Sequence, residues 1–188
     1  MGSALLGVLS GCGAGGGTLP STVLVELPDG TTVEVEQGDG VASLANSTWE
    51  FFQTTNNAQG PAFLTISFGP NGNLERFENN TISPEIFGDT ILFDGARHAT
   101  NQAGLTYEAT TYGAQTEDGS GFAFEGRLTA FVAGFTAATV NADASGTFDP
   151  DEADVMTGMF EISSRSSLSG FEQYNSDASI SFLARRVE

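Results

Sequence analysis

The chain contains no lysine, and its six basic residues are all arginines: Arg76, Arg97, Arg127, Arg165, Arg185 and Arg186. Chemistry that needs an amine, whether a Schiff base or the lysine of a phosphate-binding loop, is excluded. Histidine and cysteine are almost as scarce, with His98 and Cys12 the single examples of each. One of each builds neither a transition-metal site of usual composition nor an internal disulfide. His98, beside Arg97 at a strand end, reads as a loop residue rather than a general base. The chain also lacks a nucleophile elbow and a His-Glu-x-x-His pair. Positive charge is short throughout: 24 acidic residues against 6 basic ones leave a formal net charge of -18, the wrong sign for gripping nucleic acid. No stretch shows a sustained helical period, and no apolar run approaches the roughly 20 residues that span a bilayer. These absences lead us to expect no enzyme, no cofactor and no nucleic-acid partner.

What is present is apolar and aromatic. Hydrophobic residues make up 39% of the chain and fifteen residues are Phe, enough material for a core and outside the composition of disordered chains. A length of 188 residues fits one domain of ordinary size. The acids read first as the solvent-facing side of strands, where they keep a β protein soluble and blunt edge pairing.

The amino terminus carries the most specific motif. Ala4 to Leu9 form a short apolar run that leads into Leu9-Ser10-Gly11-Cys12. This resembles the lipobox of bacterial lipoprotein precursors, which implies cleavage before Cys12 and a diacylglyceryl group on its thiol. Residues 1–11 are then a signal peptide; the absence of Lys or Arg from Met1-Gly2-Ser3 departs from the usual pattern and fits a shortened leader. Residues 12–20 form a Gly-rich tether. Gly13, standing where an inner-membrane retention signal has Asp, implies sorting to the outer membrane, facing the periplasm or the exterior. The membrane is then a partner through the lipid anchor only.

From Thr22 onward the pattern is strand after strand. Thr22 to Leu27 and Thr31 to Glu36 alternate Val with Thr and Glu across Pro28-Asp29-Gly30, a hairpin signal. Residues 21–48 hold this hairpin and a connecting turn, and 49–188 hold the main β domain. Strands are expected near 49–55, 61–68, 73–78, 89–97, 104–115, 121–133, 135–148, 154–166 and 177–187. Alternation places Leu64, Ile66 and Phe68 on one face with Phe63 on the other. It likewise places Phe122, Phe124, Leu128 and Ala130 inside with Glu125, Arg127 and Thr129 outside, and Ala178, Ile180, Phe182 and Ala184 inside. The predicted class is all-β, an antiparallel meander of about 8–10 strands closed into a barrel, with a β-sandwich as the alternative.

Leu44-Ala45-Asn46-Ser47-Thr48-Trp49-Glu50-Phe51, a short turn delivering a Trp into the first long strand, resembles the lipocalin-like (calycin) barrels of bacteria. Members usually have Gly where Ser47 stands. The resemblance covers residues 44–188 and implies that Trp49 plugs one end, with Arg185 or Arg186 over its ring; the alternative is a plain core Trp and solvated arginines. It also implies an interior that either holds one small apolar ligand or is filled. Phe68, Phe122, Phe124, Leu128, Phe160 and Phe182 are the candidate lining residues, and Gly126, Ala130 and Gly134 are the positions that would leave room.

Asp149-Pro150-Asp151-Glu152-Ala153-Asp154 could gather calcium through Asp149, Asp151 and Asp154, but Asp154 and Phe160 stand where an EF-hand needs Gly and Glu. A polar turn between strands is the favoured reading. Asn46-Ser47-Thr48 and Asn79-Asn80-Thr81 match glycosylation sequons and read as turn chemistry. The functional expectation is a lipid-anchored envelope protein whose barrel binds a small hydrophobic ligand. The alternative is a structural or interaction lipoprotein with a filled barrel that meets another envelope protein.

Overall fold

A computed structural model of the chain describes residues 19–54, 61–79, 90–93, 97–102, 105–132, 135–167 and 175–188. It contains twelve strands: β1 (Thr22–Glu26), β2 (Thr32–Glu36), β3 (Ser47–Gln53), β4 (Leu64–Phe68), β5 (Leu74–Asn79), β6 (Thr90–Leu92), β7 (Arg97–Gln102), β8 (Leu105–Gln115), β9 (Gly121–Val132), β10 (Phe135–Phe148), β11 (Val155–Ser166) and β12 (Ser176–Arg186). The only helical element among the described residues is a single 3-10 turn at Ala42–Leu44.

Strands β3 to β12 form one antiparallel sheet of ten strands in the order β6-β5-β4-β3-β12-β11-β10-β9-β8-β7. Sequence neighbours pair at every step from β3 to β12 except β6 to β7, and the last strand returns to the first, Ala184 opposite Phe51 and Arg186 opposite Trp49. That return curls the meander into a nearly closed barrel, and among the described residues the pairing missing from the ring is between β6 and β7. A single continuous sheet replaces the sandwich alternative. The expected strand at 89–97 is instead two short strands at opposite ends of the sheet. Asp94-Gly95 stands between the two in the sequence, outside the described residues.

At one end of the barrel the segment before β3 lies between the β4–β5 hairpin and the edge of β8. Gly113 N–H donates to Asp39 O at 2.8 Å, and Val41 N–H donates to Gly72 O at 3.1 Å. Gly72 adopts φ +70°, and a Cβ there would sit 1.8 Å from Val41 O, so only glycine permits this approach. Val41 and Leu44 are fully buried as a result.

The β1–β2 hairpin is a separate two-stranded sheet laid on the outside of the barrel. Val23, Val25, Leu27 and Val35 face inward onto Tyr112 and Ala123, which lie on the outer face of β8 and β9. Period two therefore fixes which side of the sheet a residue faces, while the hairpin decides that part of the outer side is buried. Thr129, which also faces outward by register, is buried as well.

Candidate functional site

Seen from the inside, the barrel is packed with phenyl rings. Phe51, Phe160 and Phe182 form a triangle with ring centroids 5.3, 5.0 and 4.8 Å apart. Phe68 stacks on Phe124 at 5.5 Å, and Phe122 meets Phe124 at 6.2 Å and Phe148 at 5.5 Å. These separations are those of touching rings, each pair contributing roughly 0.5–1.5 kcal/mol beyond its area. Phe63 joins them, edge-on to Phe160 at 6.1 Å. Alternation put Phe63 on the face opposite Leu64, but Phe63 precedes β4 and its N–H donates to Phe51 O at 2.9 Å, so Phe63 and Leu64 both stand opposite Phe51 and the alternation slips there.

The inward glycines explain how so many rings fit. Gly113 lies directly opposite Phe124, Gly146 opposite Phe122, and Gly158 opposite Phe182. A Cβ at these glycines would lie 2.5, 2.8 and 2.6 Å from the ring of the paired Phe. Each ring therefore lies flat over the neighbouring strand's bare backbone. At Gly126, read as spare room, a Cβ would meet Ala142 O at 2.9 Å, and Ala130 is buried; Gly134 lies outside the described residues. Of the six candidate lining residues, Phe68, Phe122, Phe160 and Phe182 are in this cluster and Phe124 packs against it. Leu128 stands apart, half-buried and paired with Val140 farther along the barrel.

Trp49 is buried at 1% exposure and its ring contacts Phe148 at 6.0 Å. Its indole N–H donates to Ser47 Oγ at 2.8 Å, and Ser47 Oγ–H donates to Leu44 O. Ser47 thus satisfies a buried indole N–H that would otherwise lack an acceptor. Arg186 is Trp49's register partner and Arg185 is that of Glu50. Both arginines are exposed, and Arg186 Nε–H donates to Glu188 O at 3.1 Å.

The acidic turn uses its own oxygens. Asp149 Oδ1 accepts N–H bonds from Asp151 at 2.8 Å and Glu152 at 3.1 Å, while Asp149 N–H donates to Val155 O at 2.9 Å. This is an Asx-type turn linking β10 to β11. Asp154 O accepts Arg186 N–H at 2.9 Å. Among the described residues no three His, Cys, Asp or Glu side chains are grouped to hold a metal. Cys12 lies outside the described residues, as does the side chain of His98.

The outer face holds a feature that single-strand patterns hide. Glu125, Asp143 and Glu161 are consecutive partners across β9, β10 and β11, so three carboxylates stand in one row. Residues directly opposite in a sheet have Cβ atoms roughly 4.5–5.5 Å apart, and like charges there repel. Arg127 bonds Glu125 with both Nε and Nη2, leaving Asp143 and Glu161 without that cation. Asp143 remains open to water on one side while the surrounding strands crowd the other. Burial first, then Glu125 and Glu161 against the opposing pull of Arg127, push its pKa up to about 6.

Beside this row lies a groove of about 530 Å³, walled on one side by Leu24 to Pro28 and floored by Glu125, Asp143, Met159 and Glu161. A second depression of about 440 Å³ continues from Asp143 and Glu161 toward Asp177 and Ala178. Phe51, Phe160 and Phe182 line neither hollow, while Phe124 of the ring cluster is part of the first groove's lining. Comparison with models of protein families, with curated proteins and with solved structures returns no match.

Proposed function

We propose that this chain is a lipid-anchored interaction domain of a bacterial envelope, whose barrel is a solid platform rather than a carrier of a small apolar molecule. The observation that carries this is the pairing of Phe124, Phe122 and Phe182 with Gly113, Gly146 and Gly158, which fills the inward space that glycines would otherwise leave empty. The barrel's two described hollows are open depressions bordered by outward acids, which favours contact with a partner over an enclosed ligand. The anchor rests on Leu9-Ser10-Gly11-Cys12, and the Gly13 to Thr18 tether would let the domain reach away from the membrane.

Three measurements on the full chain expressed in a bacterium test this. Intact mass of the membrane-purified protein should show a diacylglyceryl adduct at Cys12, and Cys12→Ser should release the protein from the membrane fraction. Native mass spectrometry of the Cys12→Ser chain should show no co-purifying apolar molecule. An unmodified Cys12 removes the anchor from the proposal, and a stoichiometric bound lipid removes the filled barrel.

A further inference from the structure

Strand β1 pairs with β2 alone among the described residues, so its other edge carries unused backbone groups. The register says which. Leu27 N–H donates to Thr31 O and Gln37 N–H donates to Ser21 O, so odd-numbered residues from Ser21 to Leu27 bond toward β2. Thr22, Leu24 and Glu26 therefore aim their N–H and C=O groups away from β2. That edge borders the groove over β9, β10 and β11. Leu24 is 70% exposed on the rim, and Met159 is 38% exposed on the floor.

We propose that this groove receives an extended segment of another protein as a third strand on the free edge of β1, with Lys or Arg side chains on the face that meets Asp143 and Glu161. The inference deepens the interaction-domain reading and rests on it by naming the docking surface and its partner chemistry. An open edge bonds an incoming strand through backbone groups, while side-chain pockets set its sequence. Basic side chains suit the floor on two counts: their aliphatic stems lie along Met159 and their heads neutralise the unpaired carboxylates. β-branched residues on the alternate, solvent side of the added strand would pack beside Leu24.

The two occupants from this chain itself fit less well. Residues 1–18 contain no Lys or Arg and cannot neutralise the carboxylate row. A second copy would bring Glu26, Asp143 and Glu161 against the same groups, in a molecule already at net charge -18.

The test uses the full Cys12→Ser chain and a fluorescein-labelled, terminally blocked peptide of about eight residues alternating Lys with Val and Thr, a length that spans a typical strand. Anisotropy should show saturable binding that weakens with salt. The same peptide with Glu in place of Lys should not bind. Asp143→Asn with Glu161→Gln should weaken binding roughly tenfold, as should Leu24→Pro, which removes an edge N–H without touching a bond to β2. Glu34→Gln, on the far strand of the hairpin, should leave binding unchanged. If Leu24→Pro disrupts the hairpin, the peptide answers the same question: N-methylation at alternate positions should abolish binding for one of the two alternations only.

Absence of binding by the Lys peptide overturns the proposal. So does binding that survives both N-methylation patterns, which would be adsorption by charge alone. Neither result bears on the interior, so a failed groove with an empty native mass spectrum leaves the filled barrel standing.

Discussion

The long strands β9, β10, β11 and β12 run through two different environments. At one end their inner face carries Phe122, Gly146, Met156, Gly158, Phe182 and Ala184, all buried or closely packed. At the other end the same face carries Ala138, Ala142, Ser164, Ser166, Ser176 and Ala178, and of these Ala142, Ser176 and Ala178 are exposed. Alternation continues along the length, with one register shift between β9 and β10 at Thr136 to Ala138. The difference is reach: a phenyl ring crosses to the next strand's backbone where glycine allows it, whereas Ala and Ser do not extend far enough to meet anything across the barrel. Inward direction and burial are separate properties, and in this chain ring size separates them.

The sharpest way to test that comparison is to make equivalent deletions at the two ends. Phe182→Ala, at the centre of the ring triangle, should cost about 3–5 kcal/mol in urea unfolding. Ile162→Ala, half-buried on the same face toward the open end, should cost about 1 kcal/mol because much of its side chain is already in water. Equal losses would mean that the two ends are packed alike.

Glycine substitutions sharpen it next. Gly72→Ala places a Cβ on Val41 O and keeps a positive φ, and should cost about 3 kcal/mol by displacing the segment that seals the barrel. Gly30→Ala shares the positive φ at +84° but meets nothing within 4 Å, so only the backbone term of roughly 1 kcal/mol remains. Ser47→Ala should fall between them at about 2 kcal/mol, since it strands a buried indole N–H, and the emission of Trp49, the single tryptophan, should change with it.

The smallest effect concerns charge. The folded pKa of Asp143 lies above its ordinary value of 3.8, at about 6, so the folded state holds a proton that the unfolded chain releases. The group's stabilising share is present below about pH 4 and is lost as pH rises through about 6. Asp143→Asn should thus raise the urea midpoint above that window and leave it nearly unchanged below, by less than about 1 kcal/mol given its contact with solvent. Asp118 is the opposite case: the Thr116 hydroxyl first, then the Ser120 N–H and hydroxyl, hold its pKa down to about 2. Its share is present above pH 3.8 and is lost as pH falls toward 2.

Much of the fold was legible because period two is local. Strand positions from Thr22 to Arg186 follow from alternation, and the turn at Pro28-Asp29-Gly30 follows from residues that accept its backbone, with Gly30 at φ +84°. Three things were not legible. The break between β6 and β7 follows the short apolar run Ile91-Leu92-Phe93, which period two alone does not bound, although Asp94-Gly95 in the sequence was available to mark it. The burial of Tyr112 and Ala123 depends on where the hairpin lands, which no local pattern encodes. The candidate site was legible only in its parts: each of Glu125, Asp143 and Glu161 reads as an ordinary outward acid, and only the pairing of three strands sets them in a row beside the edge of β1. The Phe–Gly pairs are hidden in the same way, since Phe122 and Gly146 lie on different strands. Inward glycines in a sequence rich in Phe were the available signal: Gly126 and Gly134 read as room, whereas at Gly113, Gly146 and Gly158 a ring from the next strand takes that room.

The central claim is that the rings fill the end of the barrel they occupy and leave no room there for a ligand. Titration of the full Cys12→Ser chain with N-phenylnaphthylamine, read through both dye fluorescence and Trp49 emission, tests it most directly. The account predicts no saturable rise in dye fluorescence and an unchanged Trp49 spectrum. Saturable uptake at one dye per chain, with quenching of Trp49 and loss on Gly146→Val, would contradict it.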